Sequence, residues 1–340
     1  EEMGKVYQNI KFFDFDPAAS VVKIRNDFSF TNLDKYDFHY IIRHHGKEVY
    51  KGRIKDIKAE PGQTVTSPFL NGIPATNSST GDVRIEFYAA IRTPEPFLPA
   101  GTVIAREQTY VHTFHKEDAP KQAFAGSEED DRQVVFSGPH FKATFDKQSG
   151  LLVSYRYKKQ EYIHNGQGPR PFFWRAPTDN DYGAKLPIRL KAWKEASYQE
   201  PKAESFNVVR DKDTTAVKVT YRFPQTDARW DITYKVYSNG VIKVDNHFVA
   251  ENAQTPMIPR VGLRMQLPAR ITSLTYYGRG PEENYRDRRT SQFIGEYTSG
   301  IQDMYEPYVR PQENNHRTDI YWCTLTSKAK EGLLFVADRT

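Results

Sequence analysis

Apolar side chains recur at every second position in several short runs of the first hundred or so residues. This period of two is typical of half-buried β-strands, because successive side chains of a strand point to opposite faces of a sheet. The slips in the period at two places indicate β-bulges. The alternating positions are Val21, Ile24, Phe28, Phe30; Tyr36, Phe38, Tyr40, Ile42; Val83, Ile85, Phe87, Ala89; and Val103, Ala105, Gln108, Tyr110.

Turn-forming residues separate these runs. Proline presets one backbone angle of a turn, and glycine adopts positive φ without steric cost. The turn positions are Asp16-Pro17, His45-Gly46, Pro61-Gly62, Asn71-Gly72 and Pro94-Glu-Pro96. Roughly seven short strands with this punctuation predict an immunoglobulin-like β-sandwich over residues 1–115. No convergent set of polar side chains marks a site there, so its expected role is packing or spacing.

A polar stretch follows, with Lys116-Glu-Asp-Ala-Pro120 and Ser127-Glu-Glu-Asp-Asp131. It predicts a linker over residues 116–131. From residue 132 to residue 340 the strand pattern resumes, and Asn239-Gly240 between alternating residues is the strongest hairpin pattern in the chain. Only Lys185 to Ala196 has helical spacing, and the rest is predicted to form two large packed sheets.

Composition narrows the functional classes. Aromatic residues make up 14% of the 340 residues, with 21 Tyr and 21 Phe, which favours β-structure and sugar-type ligands. No apolar run approaches a transmembrane length, so no membrane partner is expected. The net charge is only +5, and acidic residues interrupt the basic cluster at 279–289, which argues against nucleic acid. The single cysteine, Cys323, excludes an internal disulfide, and the scattered histidines predict no metal site.

One segment concentrates polar chemistry: Trp174-Arg-Ala-Pro-Thr-Asp-Asn-Asp-Tyr-Gly183. Pro177 and Gly183 predict an irregular loop at the mouth of a cleft, where paired hydrogen bonds to neighbouring hydroxyls suit a polyhydroxylated ligand. The alternative is structural, with Arg175, Asp179 and Asp181 forming an internal ion network and Asn180 capping a turn. Gly183 is a candidate hinge.

Two further motifs follow: Gly280-Pro-Glu-Glu-Asn-Tyr-Arg-Asp-Arg288, and Asp303-Met-Tyr-Glu-Pro-Tyr-Val-Arg-Pro-Gln-Glu-Asn314 with Arg317 behind it. In the structural interpretation Glu283 and Arg288 lock the loop around Asp179; in the alternative they contact sugar directly. The proline-rich third motif predicts an extended segment that covers this region, with Tyr305 and Tyr308 either stacking on a ligand or buried.

The three motifs, in this order, resemble the C-terminal part of glycoside hydrolase family 2 β-galactosidases of the large multidomain kind. The resemblance implies that residues 132–340 form a β-supersandwich shaped like galactose mutarotases and incomplete at its C-terminus. It also implies a rim of a sugar site completed by another domain. The residues expected to line or shape that rim are Arg175, Asp179, Asn180, Asp181, Gly183, Glu283, Asn284, Tyr285 and Arg288.

The resemblance implies no catalytic residue in this chain, because the family's acid/base and nucleophile glutamates lie in a preceding barrel. The expected partners are a β-galactoside, that barrel in the same chain, and further copies in a homo-oligomer. No cofactor is expected here, and family enzymes use Mg or Na bound elsewhere. The compartment, cytoplasmic or periplasmic, stays open.

Three functional hypotheses follow. The favoured one is the non-catalytic portion of a retaining β-galactosidase that hydrolyses terminal β-D-galactosides, inactive by itself. A free-standing carbohydrate-binding module is the second. An aldose epimerase is the third, suggested by sandwich shape alone; it needs a general acid and a general base. The available imidazoles lie in no epimerase-like motif: His140, His164, His247 and His316.

Overall fold

The computed structural model describes residues 1–69, 81–112, 123–211, 214–252 and 255–338. Its helices are α1 (Glu2–Val6), α2 (Asp179–Gly183), α3 (Leu186–Arg189) and α4 (Lys191–Tyr198). Its first strands are β1 (Ile10–Asp16), β2 (Val21–Asn26), β3 (Tyr36–His44), β4 (Lys47–Ile54), β5 (Thr64–Pro68), β6 (Val83–Ile91) and β7 (Val103–His112). The next are β8 (Gly126–Glu129), β9 (Gln133–Ser137), β10 (Phe141–Asp146), β11 (Leu152–Tyr157), β12 (Gln160–Glu161) and β13 (Arg170–Phe172). The last are β14 (Ser205–Asp211), β15 (Thr214–Phe223), β16 (Ala228–Val236), β17 (Ile242–Ala250), β18 (Gly262–Arg264), β19 (Ile271–Gly280), β20 (Phe293–Gly300), β21 (Trp322–Ser327) and β22 (Gly332–Val336).

Strands β1 to β7 form two antiparallel sheets, ordered β1-β2-β5 and β4-β3-β6-β7. The inward positions of the alternating runs fill one core between them, in which Phe12, Phe38 and Phe87 pack ring against ring. The ladders shift register at several points, including Ile42/Arg43, as expected for bulges. The predicted β-sandwich is confirmed here. Phe30, however, lies outside the strands and is 96% exposed, and Asn71-Gly72 lies outside the described residues.

The second half contains a five-stranded sheet (β12-β11-β10-β9-β8), two four-stranded sheets (β14-β15-β16-β17 and β20-β19-β21-β22) and the pair β13-β18. The prediction of an all-β chain of packed antiparallel sheets is confirmed. The hairpin at Asn239-Gly240 joins β16 to β17, with Gly240 at a φ of +91°. The apolar face of this hairpin contributes Trp230 and Phe248 to an aromatic cluster around the buried Phe173.

The helical content exceeds the prediction. The expected helix at 185–196 appears as α3 and α4, broken near Leu190, but α1 and α2 were predicted as strand or loop. Gly126–Glu129, assigned to the linker, forms a strand that pairs with β9, while 113–122 lies outside the described residues. The boundaries at 115 and 132 stay a prediction. None of the described helices has the length and apolar character needed to span a membrane.

The first sandwich packs against the sheet of β19 to β22 through directional contacts. The carboxamide of Gln108 donates to the carbonyl of Ile294 (2.9 Å) and accepts from its N–H (2.8 Å), as a strand neighbour would. Arg84, paired with the buried Asp82, donates to the hydroxyl of Tyr321 at 2.9 Å. These contacts hold β20 and Tyr321, the residue before β21, against the first sandwich.

Candidate functional site

The first polar motif, residues 174–183, contains a helical turn where a loop was predicted. Thr178 is the N-cap of α2: its hydroxyl accepts from the N–H of Asp181, while the Asp181 carboxylate accepts from the N–H of Thr178 at 2.9 Å. This reciprocal capping box satisfies two backbone donors that a helix start otherwise leaves unpaired. Pro177 precedes the cap and therefore does not prevent the helix, and Thr178, rather than Asn180, caps it.

Arg175 and Asp181 form the inner part of this motif. One Nη of Arg175 donates to both carboxylate oxygens of Asp181, at 2.9 and 3.0 Å, and Asp181 is only 7% exposed. The Nε of Arg175 is buried without a hydrogen-bond partner among the described residues. The structural interpretation is therefore correct for this pair, because the carboxylate is fully engaged inside the protein.

The outer face of α2 is open. Asp179, Asn180 and Tyr182 are all exposed. Asp179 accepts from Arg310 at 2.8 Å, and the guanidinium of Arg310 also lies over the ring of Tyr182, 4.9 Å from its centroid. Gly183 has neither positive φ nor a close neighbour where a Cβ would stand, so nothing in its surroundings demands glycine.

Glu283 is the centre of the second motif. Its carboxylate accepts hydrogen bonds from Arg288, from the Tyr308 hydroxyl and from the N–H of Asn315. Burial by itself would raise the pKa of Glu283, but these donors outweigh it and hold the pKa below its ordinary value. Glu283 is therefore an anion at neutral pH and cannot donate a proton to a leaving group.

Asn284 was predicted at the rim and lies instead in the interior, with 0% exposure. Its amide donates to the carbonyls of Arg279 (3.1 Å) and Glu282 (3.0 Å), and its carbonyl oxygen accepts from the N–H (2.9 Å) and hydroxyl (2.6 Å) of Thr318. A buried amide with both ends engaged has no capacity left for a sugar. Asn284 is a structural residue that joins the second motif to the segment before β21.

Tyr285 also packs inward. Its ring stacks on His316 at 4.8 Å between centroids, and the Arg288 guanidinium lies 4.5 Å from the ring centroid. Burial raises the pKa of its phenol to about 12. The second motif is thus a packed unit rather than an open rim.

The third motif connects the other two. Tyr308 bonds to Glu283 and Arg310 bonds to Asp179, so the extended segment between Met304 and Trp322 contacts both. Among the described residues no ion pair runs directly between the first and second motifs. The predicted lock of Glu283 and Arg288 around Asp179 is therefore wrong, because Asp179 pairs with Arg310 instead.

Sequence reasoning did not single out Arg260, Arg310 or Thr178. The Thr178-x-x-Asp181 spacing is a capping-box pattern and was available in the sequence. Arg260 donates to Glu313, and it stands beside the first motif because its N–H bonds to the carbonyl of Phe173 at 3.1 Å. No local pattern indicates the arginine pairs, since their partners are 53 and 131 positions away.

An open groove of about 570 Å³ runs beside the Arg175–Asp181 pair. Its walls include Trp174, Arg175, Arg260, Arg264 and Glu313. A smaller cleft of about 120 Å³ lies against Trp174, Asp181 and Leu186. Aromatic and aliphatic surface with a few fixed polar groups is the usual lining of small-ligand sites.

Four carboxylates of the three motifs each contact an arginine: Asp179, Asp181, Glu283 and Glu313. Glycoside hydrolysis needs one carboxyl that is protonated when the leaving group departs. Among the described residues no group of three or more histidine, cysteine or carboxylate side chains is arranged to hold a metal ion.

The fold and the site together define an all-β protein of packed antiparallel sheets whose polar loops are cross-linked by arginine–carboxylate pairs. The chain belongs to the β-galactosidase small-chain family, whose model matches residues 137–339. The model for β-galactosidase domain 4 matches residues 22–112. The resemblance to the C-terminal part of the large β-galactosidases is thereby confirmed.

Comparison with individual proteins leads to the same family. The chain is 30% identical over 335 residues to a β-galactosidase of Priestia megaterium, covering 98% of this chain and 32% of the relative. It is 30% identical to one of Streptococcus thermophilus, with 98% and 31% covered. It is 26% identical to one of Bifidobacterium adolescentis, with 98% and 32% covered. The chain therefore spans about a third of the length of these relatives.

Proposed function

We propose that this chain is the non-catalytic portion of a retaining β-galactosidase that hydrolyses terminal β-D-galactosides, and that its first motif shapes the rim of a sugar site in the preceding barrel domain. The names of the relatives and the third of their length that the chain spans support this role. The observation that carries it is the engagement of Glu283 by Arg288, Tyr308 and the N–H of Asn315, because these donors keep its carboxylate charged and unsuited to act as the acid.

The rim role is assigned to the outer face of α2. Asp181 and Arg175 hold the helix in place from below, while Asn180 and Tyr182 point away from the core and are exposed. A carboxamide offers both donors and an acceptor to sugar hydroxyls, and a tyrosine ring offers apolar surface to sugar carbons. The pair of Arg175 and the buried Asp181 thus supports an exposed contact surface.

Asn180→Ala in the full-length protein tests the rim role. We expect kcat/KM for an aryl β-galactoside to fall about three- to tenfold, the equivalent of one net hydrogen bond. Asn207→Ala is the matched control, since Asn207 is exposed on β14. Unchanged kinetics for Asn180→Ala, equal to those of Asn207→Ala, would contradict the rim role.

The chain alone should not turn over an aryl β-galactoside, because loss of an acid and nucleophile pair removes many orders of magnitude of rate. The test is the activity of purified chain free of other glycosidases. Turnover that disappears in Asp179→Asn or Glu283→Gln would place the chemistry in this chain and refute the proposal.

A further inference from the structure

Two arginines face each other across the short β13–β18 ladder. Arg170 and Arg264 are direct partners in the antiparallel register, so their side chains leave the same face of the pair. Directly opposed residues have Cβ atoms about 5 Å apart, and like charges at such positions destabilise a sheet. Arginine stays protonated in proteins, so neither side chain relieves the repulsion by losing its charge. An anion between them would relieve it.

The charge of Arg170 is only partly compensated. The residue is 8% exposed, and one Nη donates to the carbonyls of Gln199 and Ser197 at the end of α4, where the helix dipole favours a cation. Its Nε is buried without a partner among the described residues. Burial lowers the pKa of Arg170, and Arg264 lowers it further, while Glu200 opposes them both.

The charge of Arg264 is compensated even less than that of Arg170. Arg264 is exposed, and its guanidinium lies over the rings of Phe172 (5.2 Å) and Tyr198 (5.8 Å). Within the described part of the chain, neither Arg170 nor Arg264 forms an ion pair with a carboxylate. The stacking fixes the plane of the Arg264 guanidinium and leaves its N–H donors for another acceptor.

A cavity of about 190 Å³ lies between the two arginines. Gln167, Ser197 and Gln266 also line it, so its wall offers further polar groups. Tyr198 and Arg264 line both this cavity and the 570 Å³ groove, so the two spaces are adjacent.

We propose that Arg170 and Arg264 form an oxyanion site that takes a carboxylate or sulfate group, carried by an acidic saccharide or present as a small free anion. Guanidinium groups bind such planar or tetrahedral oxyanions through charge-assisted, often bidentate hydrogen bonds. The site does not depend on the β-galactosidase role, because its argument uses only charge, register and cavity.

The test is calorimetric titration and thermal melting of the full-length protein with D-galacturonic acid, galactose and sodium sulfate, at ionic strength held constant with NaCl. We expect galacturonate and sulfate to raise the melting temperature more than matched chloride does. Arg264→Gln should weaken their binding at least about tenfold, the loss of one charge-assisted contact. Arg53→Gln, at an exposed arginine on β4, should leave it unchanged.

The two titrations distinguish an acidic saccharide from a small free anion. If galacturonate binds more tightly than sulfate, and Arg264→Gln removes the difference, the ligand is an acidic saccharide. If the two bind equally, the ligand is a small free anion. A structural role for Arg264 predicts that Arg264→Gln melts lower without any anion, whereas relief of repulsion predicts an equal or higher melting temperature. Anion binding that is absent, or identical in Arg264→Gln, would overturn the site.

Discussion

The first and second polar motifs have similar composition and opposite architecture. In the first, an ion pair between the buried Asp181 and the half-buried Arg175 lies beneath a helical turn whose outer residues are exposed. In the second, Glu283, Asn284 and Tyr285 all point into hydrogen bonds or ring stacks of the same protein. A motif rich in acids and amides therefore indicates a ligand surface only where its hydrogen-bonding capacity is left open.

This difference has an energetic consequence. Removing one member of a closed buried network leaves its partners unpaired, at about 1 to 3 kcal/mol for each group. Removing an exposed group returns its partner to water at little cost. Substitutions in the two motifs should therefore separate into a stability class and a function class.

The largest effect is expected for Asn284→Ala, which leaves two carbonyls and the donors of Thr318 without partners inside the protein. We expect a loss of about 4 kcal/mol in the free energy of unfolding. Urea denaturation measures it, with Asn207→Ala as a control that should change little. A loss as small as that of the control would show that the second motif is not closed.

Acid titration probes the same motif through Glu283. The pKa of Glu283 is depressed in the folded state. Its contribution to the free energy of unfolding is therefore complete above the unfolded pKa of about 4.3 and is lost as the pH falls through the folded pKa. Melting temperatures measured downward from about pH 5 should therefore fall less steeply in Glu283→Gln than in the wild type. Glu128→Gln, at an exposed carboxylate on β8, should keep the wild-type slope, and parallel curves for all three would contradict the pairing.

Arg175→Ala tests the buried half of the first motif. Asp181 would keep the N–H of Thr178 but lose its counter-ion while nearly buried, so we expect a loss of more than about 2 kcal/mol. Arg156→Ala, which breaks a surface pair with Glu161, should cost no more than about 1 kcal/mol. Equal small losses in the two variants would place Arg175 with the exposed residues. Arg288→Ala, which removes the counter-ion of Glu283, should resemble Arg175→Ala.

The smallest effect is expected on the outer face of α2. The side chains of Arg310 and Asp179 are 62% and 59% exposed, so their coupling in a double-mutant cycle should lie below about 1 kcal/mol and decrease with salt. Asn180→Ala should be near neutral in the same denaturation experiments. A coupling above this bound, insensitive to salt, would mean that this face belongs to the closed network after all.

Much of the fold was predictable from short-range patterns. The period of two located β2, β3, β6 and β7 of the first sandwich, and Asn239-Gly240 located the hairpin of β16 and β17. Predictions failed where two local patterns competed. Pro177 and Gly183 suggested a loop, whereas Thr178 and Asp181 form a capping box that starts a helix. Ser127 and its acidic neighbours suggested a linker, whereas backbone pairing with β9 makes them a strand.

The sequence by itself determined which segments carry the polar chemistry, because clustering of residue types is a local property. Only the tertiary structure decided which side chains meet. Arg310 pairs with Asp179 across 131 positions and Arg260 with Glu313 across 53, although many arginines and carboxylates were available. Coulomb attraction is weakly directional and selects no partner along the chain. The packing of the sheets brings particular groups together; it largely buries Glu313 beside Arg260 and leaves Arg310, Asp179 and Asn180 exposed.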